Sequence, residues 1–367
     1  MKYYESSFED YIHSISKINL HPELDVVANS VCNDDEHLDN LLIYGPVGTG
    51  KYSQCLNILK NISPSRLKYD KKIVANTDKQ QYTYRISDIH YEIDMALLGC
   101  NSKTMWHEIF FQIVDIISVK PNKTGVIVCK NFHAIHSELL ETFYSYMQHF
   151  NHTQSSIRMK FFLITENISF IPTKIIKSCS LLNVKRPTSE AYNSITNSYI
   201  QPTGPSSVSA TDQFLSNITN YTKTCSVPLP REDMSTRFDS LVPSDITNIK
   251  ELRAFNLQGH GSNEPSPDLF NTVCDKIIRD TYNIQTIEYT DYRDSLYNML
   301  TYNLDVAECL WYILSHFIEN YQLEQEDISD IIEETYSFFK YFNNNYRPIY
   351  HLESIMFYII NRLEKTK

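Results

Sequence analysis

The feature that most constrains this chain is a glycine-rich segment that follows a short apolar run. Residues 41–51 read LLIYGPVGTGK, and Gly45, Gly50 and Lys51 have the spacing G-x-x-x-x-G-K. Three of the chain's eight glycines lie between positions 45 and 50. In such a loop the backbone N–H groups turn toward an anion, the lysine adds a positive charge, and the next helix points its N-terminus at the same phosphates. The segment therefore predicts a strand, a loop and a helix that together bind a nucleotide.

One residue departs from this motif at the position that normally binds the metal. Ser or Thr usually follows the lysine, and its hydroxyl is a ligand of Mg²⁺. Here the residue is Tyr52, whose side chain is too long to bind the metal from that position, and Ser53 follows it. A chance match to the motif is disfavoured, because an apolar strand pattern precedes it and a helical pattern follows at residues 54–60. The nucleotide contacts predicted from this segment are Gly45, Pro46, Val47, Gly48, Thr49, Gly50, Lys51, Tyr52 and Ser53.

Length and composition limit the other classes of protein. A chain of 367 residues has room for about two or three domains. A net charge of −11 argues against binding nucleic acid alone through a broad basic face, although local basic clusters remain available. The eight cysteines show neither C-x-x-C nor a His/Cys metal spacing, which predicts reduced thiols in an intracellular protein and no metal site. Neither an N-terminal targeting segment nor an apolar run of the roughly 20 residues that span a bilayer is recognisable.

The pattern along the chain predicts three parts. Residues 1–187 alternate apolar runs with helical patterns, which is typical of a parallel sheet built from βαβ units. Residues 188–262 include a stretch near 199–243 that is rich in Ser, Thr, Asn and Pro and reads as an inserted loop with short helical pieces around 212–221. Residues 263–367 are helical throughout. The predicted strands are 41–44, 90–93, 125–129, 160–165 and 180–184; the predicted helices are 52–60, 103–117, 136–150, 172–177, 268–282, 290–302, 306–321, 325–342 and 349–364.

With the loop and the sheet in place, the chain resembles the small subunits of the replication factor C clamp loader, an AAA+ family. The similar stretches are HLDNLLIYGP at 37–46, HYEID at 90–94, DYRDSLYNML at 291–300 and YRPIYHLE at 346–353. GKYS at 50–53 is most similar to the GKKT of the family's subunit with a degenerate ATPase site. The resemblance implies an α/β P-loop AAA+ domain with a small helical lid and a C-terminal all-α collar domain. The abundance of Asn and Ile suggests an AT-rich coding genome, and a large DNA virus is one candidate source.

The resemblance also locates positions that bear on catalysis. The acidic pair that in the family ends a strand and holds Mg²⁺ is replaced by Cys129 and Lys130, and the trans-acting arginine is replaced by Ser178, beside Lys177. Asn167 stands at the position of the polar sensor of the γ-phosphate. Lys250 stands at the position of the second sensor, on the lid, with Arg253 as the alternative. No residue is therefore assigned a catalytic role, while Asn167 and Lys250 join the predicted nucleotide contacts.

Three hypotheses about function follow. The first is a clamp-loader subunit that binds ATP or ADP without hydrolysing it, with Mg²⁺ left open. Its partners would be sister subunits in a hetero-oligomeric ring, a sliding clamp and primed DNA, at a replication site in a nucleus or a viral compartment. The second is an active P-loop ATPase that uses other acids, such as Asp88, Glu92 or Asp94. The third is a scaffold that binds no nucleotide.

Overall fold

The computed structural model describes most of the two ends of the chain and almost none of its middle. The described residues are 6–26, 39–76, 81–99, 101–149, 157–187, 191, 269–321, 323–342 and 347–365. The predicted lid, the inserted loop and its short helical pieces lie outside them, as does Lys250.

A seven-stranded sheet organises the N-terminal part. Its spatial order is β2-β3-β4-β5-β6-β1-β7, and β4, β5, β6, β1 and β7 run parallel to one another. Strand β1 lies between β6 and β7. Strands β2 to β6 lie on one side of β1 in the strand order, and β7 lies on the other side, so the strand order reverses at β1. In open α/β sheets this reversal leaves a crevice at the carboxyl ends of the strands, where ligands bind. The strands are β1 Leu41–Tyr44, β2 Lys71–Asn76, β3 Gln81–Ile86, β4 His90–Asp94, β5 Thr124–Lys130, β6 Arg158–Thr165 and β7 Ser180–Asn183.

The predicted parallel strands form most of the sheet, and the sheet also contains two antiparallel strands that the sequence analysis did not predict. Strands β2 and β3 form an antiparallel hairpin, and β3 runs antiparallel to β4. The parallel strands β1, β4, β5 and β6 are recognisable as apolar runs because they are largely buried on both faces, whereas the hairpin at the sheet edge mixes exposed and buried residues. Tyr82 and Tyr84 point inward from β3 while Gln81 and Thr83 are exposed. The period-two signal was present but weak.

Helices cover both faces of the sheet. The α-helices whose full span is described in this part are α1 Phe8–Lys17, α2 Lys51–Ile62, α3 Ser102–Val119, α4 Ser137–His149 and α5 Thr173–Lys177. Alternate residues of β5 point to opposite faces: Val126 and Val128 pack with α1 and α2, whereas Ile127 packs with α3 and α4. Helix α1 was not predicted; it begins with a capping box in which Ser7 and Asp10 satisfy each other's backbone N–H groups.

The described residues of the C-terminal part form five helices around a core of their own, which agrees with the predicted helical pattern. Leu296, Leu310, Ile313, Leu352 and Met356 are among the side chains buried in this core. Over the described residues, no helix has the length and apolar content needed to cross a membrane. The helices are α6 Leu269–Tyr282, α7 Tyr289–Thr301, α8 Val306–Asn320, α9 Gln325–Phe342 and α10 Pro348–Lys365.

Candidate functional site

The glycine-rich loop joins the carboxyl end of β1 to the N-terminus of α2. Gly48 and Gly50 have φ values of +73° and +88°, in the left-handed region that glycine adopts at little cost. Gly45 is needed for a different reason: a Cβ atom there would lie 2.1 Å from the carbonyl oxygen of Val184, just beyond β7. Among the described residues no side chain caps the start of α2 at Lys51. The first N–H groups of α2 thus remain suited to an anionic ligand.

Hydrogen bonds within the loop fix its shape. The Lys51 Nζ atom donates to the carbonyl oxygens of Gly45 and Pro46 at 2.8 and 2.6 Å. The buried Thr49 hydroxyl donates to the same Pro46 oxygen at 3.0 Å. These contacts fold the Lys51 side chain back over the loop and hold its ammonium group against the loop backbone. Pro46, Val47, Tyr52 and Ser53 are half-buried around it, and Gly48 is exposed.

Residues 19–25, before β1, contact the loop and α2, and the sequence analysis did not predict these contacts. The buried His21 ring places Nε2 2.7 Å from the Thr49 carbonyl oxygen. Asn19 accepts a hydrogen bond from Gln54 of α2 at 2.9 Å, and Asp25 accepts one from Asn57 at 3.0 Å. These contacts span about 30 residues of sequence, so only the tertiary structure reveals them.

Tyr52, the residue after Lys51, belongs to a polar cluster that joins α2, β4 and β5. The Tyr52 hydroxyl donates to Glu92 Oε1 at 2.6 Å. The Lys130 Nζ atom lies 3.6 Å from Glu92 Oε2 and 4.6 Å from the centroid of the Tyr52 ring. Tyr11 of α1 packs edge-on against that ring with centroids 5.0 Å apart. Glu92 is thus the centre of the cluster, although the sequence had suggested it only as an alternative acid.

The charges in this cluster are set by its contacts. Burial opposes ionisation of Glu92, which is only 4% exposed. The hydrogen bond and charge of His90, 3.4 Å away, together with the charge of Lys130, outweigh burial and hold the pKa of Glu92 below its ordinary value. Burial, followed by the charge of Glu92, raises the pKa of Tyr52 far above its ordinary range. The cluster therefore consists of a carboxylate, a neutral phenol that donates to it, and an ammonium group.

The other two acids suggested for catalysis, Asp88 and Asp94, also accept hydrogen bonds. Both oxygens of Asp94 accept from Asn131 Nδ2, at 2.9 and 3.0 Å, and one also accepts from the backbone N–H of Ala96. Asp88 accepts from the Ser63 hydroxyl and from the backbone N–H of Ser65. Burial alone would raise the pKa of Asp88, but these hydrogen bonds lower it below its ordinary value. Asp88 and Asp94 thus act as local caps.

The remaining predicted positions are placed as follows. Asn167 lies just after β6, next to the carboxyl end of β1, and its buried Oδ1 atom accepts no hydrogen bond from the described residues. Ser178 ends α5, where its hydroxyl donates to the Ile175 carbonyl at 2.8 Å, and Lys177 beside it is exposed. The buried Asn40, whose role the sequence did not suggest, accepts from the Phe161 N–H and donates to the Ser178 carbonyl. It fixes the register where β1 enters the sheet.

The residues present do not fit a magnesium ion. A Mg²⁺ ion in a phosphate-loop site is held by a hydroxyl after the lysine and by a carboxylate after a neighbouring strand. Tyr52 and Lys130 occupy those two places, and the cluster's carboxylate, Glu92, is bound to both. Within the part of the chain that the structure describes, no three His, Cys, Asp or Glu side chains are grouped to hold a metal ion.

Comparison with known proteins gives a partial match. No protein-family model matches the chain. Replication factor C subunit 5 of Saccharomyces cerevisiae is 28% identical over 120 residues, which are 31% of this chain and 34% of that protein. A Thermotoga maritima RuvB mutant covers 82% of this chain and 86% of its own at 13% identity and a TM-score of 0.39. Caenorhabditis elegans PCH-2 covers 53% of this chain and 49% of its own at 14% identity and a TM-score of 0.34.

The two structural superpositions are too loose to bear on function, and the matched segment spans about a third of the yeast protein's length. The fold is established by what the chain itself contains: a mostly parallel sheet with β1 between β6 and β7, a glycine-rich loop at the carboxyl end of β1, and a helical C-terminal part. The chain has an α/β phosphate-loop fold with a helical C-terminal part, and about a third of it is weakly similar in sequence to a replication factor C subunit.

Proposed function

We propose that this chain is a clamp-loader-type AAA+ subunit that binds ATP or ADP and does not hydrolyse it. It would join sister subunits in a hetero-oligomeric ring through its C-terminal helices and help to load a sliding clamp onto primed DNA at the site of replication. The observation that carries the proposal is the contact of Tyr52 and Lys130 with Glu92, beside a loop that keeps the phosphate-binding glycines and Lys51. The sequence similarity to a replication factor C subunit supports the choice of clamp loading.

Nucleotide binding is supported by the loop and its surroundings. Gly48 and Gly50 adopt the conformation that lets backbone N–H groups face an anion, and Lys51 adds a positive charge. The start of α2 adds the positive end of a helix dipole. Asn167 lies after β6, beside β1, with a buried amide oxygen that is unpaired among the described residues. After a 180° rotation of this amide group, Asn167 would offer its NH₂ group to a phosphate.

The lack of hydrolysis is supported by the state of the acids. A general base must reach the attacking water with a free, correctly charged group. The buried Glu92 accepts a hydrogen bond from Tyr52 and forms an ion pair with Lys130 at 3.6 Å, while Asp94 and Asp88 accept hydrogen bonds from backbone N–H groups. An ammonium group also stands where a metal-binding carboxylate is expected, at Lys130, the last residue of β5. These contacts favour the first of the three hypotheses over an active ATPase.

Binding and turnover measured on the isolated chain test this proposal. We expect a fluorescent ATP or ADP analogue to bind, and Lys51→Ala to weaken binding by roughly 10- to 100-fold, the equivalent of about 1.5–3 kcal/mol for hydrogen bonds to a charged group. Lys174→Ala is the matched control, because Lys174 is an exposed lysine of α5. Phosphate release should not exceed that of the Lys51→Ala protein. Release that requires Mg²⁺ and disappears in that variant would identify an active ATPase, and no binding at all would identify a scaffold.

A further inference from the structure

The cluster around Glu92 occupies the region of the site that normally serves a divalent cation. In phosphate-loop proteins the residue after the lysine directs a short hydroxyl at the metal, which bridges the outer phosphates. Tyr52 instead extends to β4, where its hydroxyl lies 2.6 Å from Glu92 Oε1. Its ring is fixed between Tyr11, 5.0 Å away, and the ammonium group of Lys130, 4.6 Å away. A metal ligand could be restored here only by breaking this packing.

Lys130 is held in place by contacts with other elements. It is the last residue of β5 and lies opposite Asp94 of β4 in the sheet register. Its Nζ atom faces Glu92 Oε2 at 3.6 Å and the face of the Tyr52 ring, and its side chain remains 29% exposed. A lysine held between a carboxylate and an aromatic face is a fixed positive charge with one side open to solvent. It stands immediately beside the residue that follows Lys51.

From this geometry we propose that the site binds its nucleoside di- or triphosphate without a divalent cation, with Lys130 supplying from within the chain the positive charge that Mg²⁺ would bring. The inference rests on the proposed nucleotide binding and concerns how the phosphate charge is neutralised. A divalent cation would have to approach the Lys130 ammonium group and compete with it for Glu92, so like-charge repulsion disfavours its entry. Two lysines, Lys51 and Lys130, would then share the ligand's charge.

The test is a titration of the full chain with fluorescent ADP and ATP analogues, once with excess Mg²⁺ and once with EDTA at the same ionic strength, since screening alone changes electrostatic affinities. We expect the two dissociation constants to agree within about threefold, well under the tenfold change that corresponds to 1.4 kcal/mol. Weakening by more than about tenfold in EDTA would overturn the inference but leave nucleotide binding intact. Failure to bind in both buffers would overturn the proposed function together with it.

Two variants test whether Lys130 is the source of the charge. We expect Lys130→Met, which keeps an unbranched side chain one atom shorter and removes the charge, to weaken binding in EDTA by about tenfold or more. Lys174→Met, an exposed lysine of α5, should bind as the unchanged chain does. The double variant Tyr52→Thr with Lys130→Glu should gain affinity when Mg²⁺ is added, because it restores a hydroxyl and a carboxylate. Equal affinity of the Lys130→Met protein and the unchanged chain in EDTA would refute the role of Lys130.

Discussion

The role of Glu92 is defined by the residues that it contacts in the folded chain. In the sequence it is one acid among several, in a strand whose pattern resembles a family's second strand. In the structure it is a buried carboxylate that accepts from Tyr52 and faces Lys130. The two departures from the motif, Tyr52 and Lys130, are therefore not independent losses, because both contact the same carboxylate. We infer that they stabilise the fold at the place where a catalytic site would demand free groups.

The depressed pKa of Glu92 predicts how stability depends on pH. Because the folded chain holds this pKa below the ordinary value of 4.5, the contribution of Glu92 is fully present above about pH 4.5 and is lost as the pH falls through the folded pKa. We expect Glu92→Gln to lower the free energy of unfolding by roughly 1–3 kcal/mol near neutral pH, since the variant no longer offers a charged acceptor. The difference from the unchanged chain should shrink below pH 4.5.

Denaturant unfolding across a pH series measures this effect. Glu9→Gln serves as the control, because Glu9 is exposed on α1, and its difference from the unchanged chain should remain small at every pH. A Glu92→Gln difference that stays constant between neutral pH and pH 3 would contradict the assignment of a charged, stabilising Glu92.

The junction between β1, the phosphate loop and β7 depends on close backbone approach. The Val184 N–H donates to the Tyr44 carbonyl at 2.8 Å, which brings the Val184 oxygen against Gly45. A Cβ atom at Gly45 would lie 2.1 Å from that oxygen, whereas one at Gly50 meets no atom within 4 Å. The two glycines are therefore required for different physical reasons, contact in one case and backbone conformation in the other.

Alanine substitutions separate these two reasons. Gly50→Ala should cost about 1–2 kcal/mol of stability, the cost of a left-handed conformation for a residue with a Cβ atom. Gly45→Ala should cost about 3 kcal/mol or more, because backbone must move to relieve the overlap. Thermal denaturation and the yield of soluble protein measure both. Equal stability of the two variants would show that the approach of β7 to the loop is less tight than the structure indicates.

At the scale of the whole molecule, the described residues form three hydrophobic clusters, one on each face of the sheet and one among the C-terminal helices. The sheet part buries its apolar residues on both faces of the sheet, and the C-terminal helices bury theirs among themselves. An ion pair between Arg186, just after β7, and Glu308 of α8 joins the two parts. Since each part has its own core, we expect the N-terminal part to stay folded without the C-terminal helices.

Truncation tests this expectation together with the proposed assembly. A chain ending at residue 265 should keep the nucleotide affinity of the full chain within about threefold and should lose association with sister subunits expressed beside it. Arg186→Ala in the full chain is the control for the lost ion pair, whose two side chains are partly buried. Continued co-purification of the truncated chain with the sister subunits would refute assembly through the C-terminal helices.

The amino-acid sequence by itself determined the parts of this protein whose signals are local. The glycine spacing of the loop, the apolar runs of the five parallel strands and the period of the C-terminal helices are set by residues near one another in the chain. It also singled out Tyr52, Cys129 and Lys130 as departures. The edge hairpin β2–β3 was missed because half of its residues face solvent and dilute the apolar pattern.

Only the tertiary structure decided what those departures do. The residues that meet in this cluster are 40 and 38 positions apart in the sequence: Tyr52, Glu92 and Lys130. They meet because β4 pairs with β5 and α2 packs against the sheet. The same holds for His21 on the Thr49 carbonyl, and for Asn40 between Phe161 and Ser178. Contacts of this kind depend on strand order and register, which no short stretch of sequence reveals. The phosphate loop could therefore be predicted from the sequence, whereas the contacts of Glu92 with Tyr52 and Lys130 could not.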